Sequence, residues 1–376
     1  MEDRNENKAR FYLPNLNGVR AIAAIMVLIH HVEQMRHIQG MESLWYLQGI
    51  KSLGKIAVVL FFTLSGFLIT YLIEQEKKNK GSLNILDFYI RRSLRIWPLY
   101  YLIVLTGLFL LPEIDFLRLP SRGYHNLLEN RNEAIAMYLL FIPNYFLNYI
   151  GAIPLIAHTW SIGIEEQFYL IWPWIVRNVK KPLRNIIIFL ICYNLLRIIA
   201  KLILSGEEEF IYFPPLNALA IGGIFGILFI KSENRQIPDW ILSKKVQIIS
   251  LVIAGFFVLK GTYIPGIYFE FYAIIFGINI FYLSSLKSIL NLENSILNFL
   301  GKISYGIYMY HPLVIHLAFS LLLRSKIANH YLYYFLIFSL SILISWLSYE
   351  FLESKFIRLK KKFTHILTGS AEYRRN

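Results

Sequence analysis

A chain of 376 residues in which 56% are hydrophobic, 16% aromatic and only 16% charged has more apolar surface than one soluble core of this length needs. Composition therefore excludes an ordinary soluble domain and predicts a polytopic membrane protein. The net charge of +14 at pH 7 raises the question of nucleic acid, but the basic residues sit between apolar stretches, where they act as topology signals, and no nucleic-acid-binding motif accompanies them. The lone cysteine, Cys192, cannot form an intramolecular disulfide, and its place in an apolar run reads as packing.

Ten stretches suit helical crossings, near 17–36, 54–73, 96–111, 161–176, 185–204, 211–230, 246–262, 267–286, 303–323 and 331–352. With the N-terminus in the cytoplasm, the inner segments hold 27 Lys and Arg and the outer segments nine, which places both termini inside. Arg197 and Lys201 lie within the fifth span. Segment 134–147 is apolar but short and broken by Pro143. It is expected to be an interfacial or re-entrant piece on the outer side, with an eleven-span arrangement as the alternative. No cleavable signal peptide, internal repeat or appended soluble domain is expected. The chain divides into a tail over 1–12, a membrane domain over 13–358 and a basic tail over 359–376.

In the first span, NLNGVRAIAAIMVLIHHVEQ, Arg20 and His31 are eleven positions apart. That is three helical turns plus about 20°, so both side chains leave one face about 16 Å apart along the axis. Ionisable groups at membrane depth are costly and usually face a protein interior or an aqueous path. His30 points about 100° away from that face. In the second span Ser65 and Gly66, within VVLFFTLSGFLIT, favour close helix packing over a nucleophilic serine. In FYIRRSLRIWPLYYL, Arg92 and Arg95 stand one turn apart. Such a pair can grip phosphate, although on the spacing alone ordinary anchoring at the inner face, with Trp97 and Tyr100 as interface aromatics, is the favoured reading.

In HTWSIGIEEQFYLIWP, residues 158–173, His158, Ser161 and Glu165 share a helix face while Glu166 is rotated away. A carboxylate entering an apolar span is costly, which weighs a functional Glu165 evenly against a structural one that complements the helix dipole. In FLGKISYGIYMYHPLVI, residues 299–315, Ser304, Tyr308 and His311 form one stripe, and Pro312 removes a backbone donor and is expected to bend the helix. His30, His31, His311 and His316 lack recognised ligand spacing, and no metal is expected.

These segments together resemble the membrane-bound acyltransferase family 3, which includes bacterial O-antigen and exopolysaccharide O-acetyltransferases. The resemblance runs from about residue 13 to 358, through LNGVRAIAAIMVLIHH, FFTLSGFLIT, RRSLRIWPLY, HTWSIGIEEQFYLIWP, LGKISYGIYMYHPLVI and YEFLESKF. It implies an all-α transmembrane bundle of about ten spans in a bacterial inner membrane. The implied chemistry is transfer of an acyl group, usually acetyl from cytoplasmic acetyl-CoA, to a hydroxyl of an exported or cell-surface glycan. By this resemblance His31 and Arg20 are the essential pair, and Arg92 and Arg95 hold the acyl donor. Ala21 stands where relatives commonly have Gly.

Acyl transfer needs a base, donors for a developing oxyanion and a dry site. His31 is expected to supply the base, with Glu165 at a comparable depth orienting it or binding acceptor hydroxyls. Ser161, Tyr308 and His311 are candidates for substrate binding. The expected partners are the lipid bilayer, an acyl-CoA, a glycan or lipid-linked glycan, and proteins of glycan biosynthesis or export. A transporter or lipid-glycan flippase with an intramembrane His/Arg/Glu relay is the alternative.

Overall fold

The computed structural model describes residues 10–114, 122–177, 181–204, 213–324, 329–364 and 367–368. Most of both expected tails lies outside the described residues. The described chain is helical apart from a two-residue parallel pairing of Arg10–Phe11 with Leu367–Thr368, which brings the two ends together. In chain order the helices are α1 Leu16–Ile38, α2 Gln48–Lys80, α3 Ile85–Leu105, α4 Arg122–Glu129, α5 Arg131–Leu139, α6 Pro143–Tyr149, α7 Trp160–Val176 and α8 Pro182–Leu204. There follow α9 Leu216–Glu233, α10 Lys244–Lys260, α11 Tyr268–Leu283, α12 Ser295–Lys302, α13 Ser304–Arg324, α14 His330–Ser348 and α15 Ser354–Lys360.

Every expected span is a helix. Seven candidate membrane spans lie among the described residues, built on α1, α2, α3, α8, α9, α13 and α14. The other three, α7, α10 and α11, have 17, 17 and 16 residues. At about 1.5 Å per residue these rise roughly 24–26 Å, a little under the hydrocarbon thickness of a typical bilayer. Segment 134–147 is divided between α5 and α6, with Phe141 between them at φ 58°. Neither piece is long enough to cross. The linker and α6 are held to α7, where the Gln167 amide donates to the Phe141 carbonyl at 3.0 Å and to Asn144 Oδ1 at 2.8 Å.

Small residues set the closest helix approach. A Cβ on Gly66 would stand 1.8 Å from the Leu219 carbonyl oxygen of α9, and one on Gly222 would stand 2.1 Å from that of Thr63. The α2–α9 seam therefore requires glycine on both sides. The start of α1 is fixed by Asn15, a non-glycine residue at φ 64°. Its side chain donates to the Leu283 carbonyl at 2.9 Å and accepts from Leu292 N at 2.6 Å.

Arg197, which the sequence places inside a span, is neutralised there. It donates to Glu270 at 2.5 Å, and Asn217 donates to the same carboxylate oxygen at 2.6 Å. Cys192 is exposed on α8. It therefore does not pack inside the bundle as the apolar run suggested, because α8 buries little of its surface and turns its apolar side chains outward.

Candidate functional site

A cavity opens among α1, α2, α3, α7 and α13, with about 130 Å³ open to water centres. Its polar lining consists of Arg20, Ser65, Arg92, Arg95, Ser161, Glu165, Tyr169, Ser304, Tyr305 and Tyr308. Phe61, Phe62, Leu68 and Ile96 supply apolar wall. Six of the eight residues expected to be catalytic, donor-binding or substrate-binding, Arg20, Arg92, Arg95, Ser161, Glu165 and Tyr308, therefore meet in one chamber. His31 and His311 stand outside its lining.

The chamber is a place for negative charge. Three guanidiniums face one carboxylate, and among the described residues none of the three is in a salt bridge. Arg20 reaches only Asn17 Oδ1, at 3.2 Å. Arg92 lies over the rings of Phe88 and Tyr169 at 5.6 and 5.9 Å, and its Nε is buried with no hydrogen-bond partner. The adjacent Arg91 is committed elsewhere, to Glu76 at 2.7 Å and to the Phe363 carbonyl at 2.8 Å. Arg92 and Arg95 thus differ from an anchoring arginine in keeping their donors for the cavity.

The two carboxylates of α7 separate as their 100° offset requires. Glu166 turns away from the chamber and accepts from the Trp97 indole at 3.0 Å. Glu165 turns into the chamber, where Tyr169 donates to it at 2.7 Å, and Ser65 donates to Tyr169 Oη at 2.6 Å. Ser65 is therefore more than a small packing residue. In the SerGlyPhe segment Gly66 makes the helix contact and Ser65, 100° away, lines the cavity. Glu165 lies within electrostatic reach of Arg92 and Arg20. It makes no hydrogen bond to His31 among the described residues, so the expectation that it orients His31 is not met.

His31 belongs to a second group. Its Nδ1–H donates to Gln34 Oε1 at 3.0 Å, and its ring stacks on His311 with centroids 4.9 Å apart. His158 meets His311 edge-on at 5.1 Å. His158 and His311 are both buried. Pro312 explains the state of His311: lacking an N–H, it leaves the Tyr308 carbonyl one turn back without its helical donor. His311 Nδ1–H takes that place at 2.6 Å, so Nε2 keeps its lone pair and has no hydrogen-bond partner. The helix nevertheless continues through Pro312.

His30 faces the other way, donating from Nδ1 to the Ile50 carbonyl at 2.9 Å and packing on Gly54. Between chamber and imidazoles stands one hydrogen-bonded pair. Ser161 donates to Tyr308 Oη at 2.6 Å, and Tyr308 donates to the His158 carbonyl at 2.9 Å.

Sequence reasoning did not place His158 with His31 and His311, nor Ser65 with Tyr169, because each meeting joins segments distant in sequence; Tyr169 lies one turn after Glu165 on α7, and that i, i+4 spacing was the signal that could have found it. The shared face of His158, Ser161 and Glu165 was the available signal. Among the described residues no group of three or more His, Cys, Asp or Glu is arranged to hold a metal ion.

The fold and chamber define a polytopic helical membrane protein with a cationic intramembrane cavity beside a buried imidazole cluster. The chain belongs to the acyltransferase family whose model, described as "Acyltransferase domain", matches residues 13–350. It is 27% identical over 368 residues to "Putative O-acetyltransferase SACOL0978" of Staphylococcus aureus strain COL, covering 92% of this chain and 57% of that protein. It is also 27% identical over 380 residues to "O-acetyltransferase OatA" of Staphylococcus aureus strain NCTC 8325 / PS 47, covering 91% of this chain and 57% of the relative. The chain thus spans a little over half the length of the curated relatives it matches. No solved structure matches it.

Proposed function

We propose that this protein is an integral membrane O-acyltransferase that moves acetyl from acetyl-CoA to a hydroxyl of a cell-surface or exported glycan. The observation that carries the reading is the chamber itself. Three arginines without salt bridges line a cavity inside an acyltransferase-family bundle, next to a histidine with an uncommitted ring nitrogen. Arg92 and Arg95 hold donor phosphates through charge-assisted hydrogen bonds, and Arg20 supplies positive charge deeper in the cavity. The pantetheine arm extends past Ser161 and Tyr308, whose mutual hydrogen bond opens to admit the thioester to His31. His31 Nε2 accepts the proton of the acceptor hydroxyl as its oxygen attacks the thioester carbonyl. The C–S bond breaks, the acyl group stays on the glycan oxygen, and coenzyme A leaves as the thiolate and is then protonated.

Glu165, through Tyr169 and Ser65, fixes the wall of the chamber and balances part of its charge. The arrangement we favour has ten spans, both termini in the cytoplasm and the protein in the inner membrane. The pairing of Arg10–Phe11 with Leu367–Thr368 supports it, because an even number of crossings returns both ends to one side. Purified protein given acetyl-CoA labelled in the acetyl group tests the activity. Label appearing covalently on glycan supports the reading. Label that stays on coenzyme A, with glycan moving between compartments, returns the protein to the transporter alternative.

A further inference from the structure

A second cavity, unconnected in its lining with the first, opens between the start of α8 and the end of α9. It has about 640 Å³ open to water centres. Its wall is apolar, from Ile187 and Ile188 on α8 and Ile227 and Ile230 on α9, and Ile187 and Ile188 are 43% and 49% exposed. Its rim is cationic, formed by Lys181, Arg184 and Lys231. Glu74 is the one carboxylate at the rim, and it is occupied by Lys77 at 2.6 Å. Among the described residues Lys181, Arg184 and Lys231 make no salt bridge. Asn234 and Gln236 add amide donors to the same rim.

An apolar cleft between two apolar helices, closed at one end by three free cations and amide donors, has the polarity of a phospholipid. Its walls suit acyl chain and its rim suits phosphate. We propose that this groove is a binding site for an anionic phospholipid, whose phosphate sits among Lys181, Arg184 and Lys231 and whose acyl chain lies along Ile187, Ile188, Ile227 and Ile230. A zwitterionic lipid fits the walls but brings a quaternary amine to a rim that already carries three positive charges. The rim thus selects anionic over zwitterionic headgroups. The site is independent of the proposed acyl transfer, since none of its lining residues belongs to the arginine chamber.

The test uses full-length protein in detergent, with phosphatidylglycerol and phosphatidylcholine of identical acyl chains as probes and retained lipid counted by native mass spectrometry. We expect phosphatidylglycerol to be retained about tenfold more strongly. The K181Q/R184Q/K231Q variant should lose that preference, while a K244Q/K245Q/K287Q variant, with the same change in charge elsewhere, should keep it. Ile188→Trp, which fills the groove and leaves every cation in place, should lower retention of both lipids. Equal retention of the two lipids by the unaltered protein would overturn the proposal. So would loss of selectivity in both triple variants, or displacement of phosphatidylglycerol by inorganic phosphate or coenzyme A alone, which would make the rim a phosphate site.

Discussion

His31 and His30 are adjacent in sequence and opposite in consequence. His31 commits Nδ1 to Gln34 and stacks on His311 within the imidazole cluster, whereas His30 is bonded to the Ile50 carbonyl and packed on Gly54. His31→Ala should lower turnover by about 10²- to 10⁴-fold, the usual worth of a positioned base. His30→Ala should leave turnover within a few-fold of the unaltered protein and mainly lower thermal stability, by about 1 kcal/mol for the lost hydrogen bond. Initial rates at matched expression check the pair, and equal losses would contradict the assignment.

The angular relation of these residues was legible because helix geometry fixes it from sequence alone. The same rule separated Glu165 from Glu166. It failed for the pairing of Glu165 with His31, since the axial offset between α1 and α7 is set by tertiary packing. That offset brings His158, in the short turn just before α7, to the imidazoles and leaves Glu165 within electrostatic reach of Arg20 and Arg92.

Individual helices carry two tasks on two faces. In α2 the sequence favours packing over a nucleophilic serine for SerGlyPhe, and the structure divides the segment between packing and cavity lining. Gly66→Ala would drive a methyl into the Leu219 carbonyl oxygen, so the α2–α9 seam must separate. The expected cost is about 1–3 kcal/mol or more of stability, read as a lowered unfolding temperature in detergent. Ser65→Ala removes only the donor to Tyr169. It should leave that temperature nearly unchanged and lower acyl transfer by about tenfold, the worth of one buried hydrogen bond at a working site. Unaltered melting of Gly66→Ala would show that the seam is looser than drawn. The helices themselves were legible because apolar runs of bilayer length announce them. The division at Phe141 was signalled by Pro143, but the docking of the linker and α6 on α7 through Gln167 was not, because a lone amide in an apolar span has no pattern of its own.

At the scale of the whole molecule, the fold sets a charged chamber beside an imidazole cluster, with Ser161 and Tyr308 in the chamber wall and Tyr308 bonded to the His158 carbonyl. The sidedness proposed from the distribution of basic residues is open to direct measurement in a Cys192→Ser background. Cysteine at the exposed Tyr263 should react with an impermeant thiol reagent in intact cells, and cysteine at Lys78 or Lys361 only after the membrane is opened. Cysteine at Lys181 should stay protected as well. Labelling there would favour eleven crossings and place the start of α8 outside; the loop positions Lys180 and Glu208 lie outside the described residues.

The central claim is that donor binding and proton acceptance occupy different ends of one path. Coenzyme A binding to purified Arg92→Ala and His31→Ala, measured by calorimetry beside the unaltered protein, tests it most directly. Arg92→Ala should weaken binding by about 10- to 100-fold, as expected for loss of charge-assisted hydrogen bonds, with Arg92→Lys only partly restoring it. His31→Ala should bind coenzyme A as the unaltered protein does while its acetyl transfer falls by about the same 10²- to 10⁴-fold. Unchanged binding by Arg92→Ala, or weakened binding by His31→Ala equal to that of Arg92→Ala, would contradict the account.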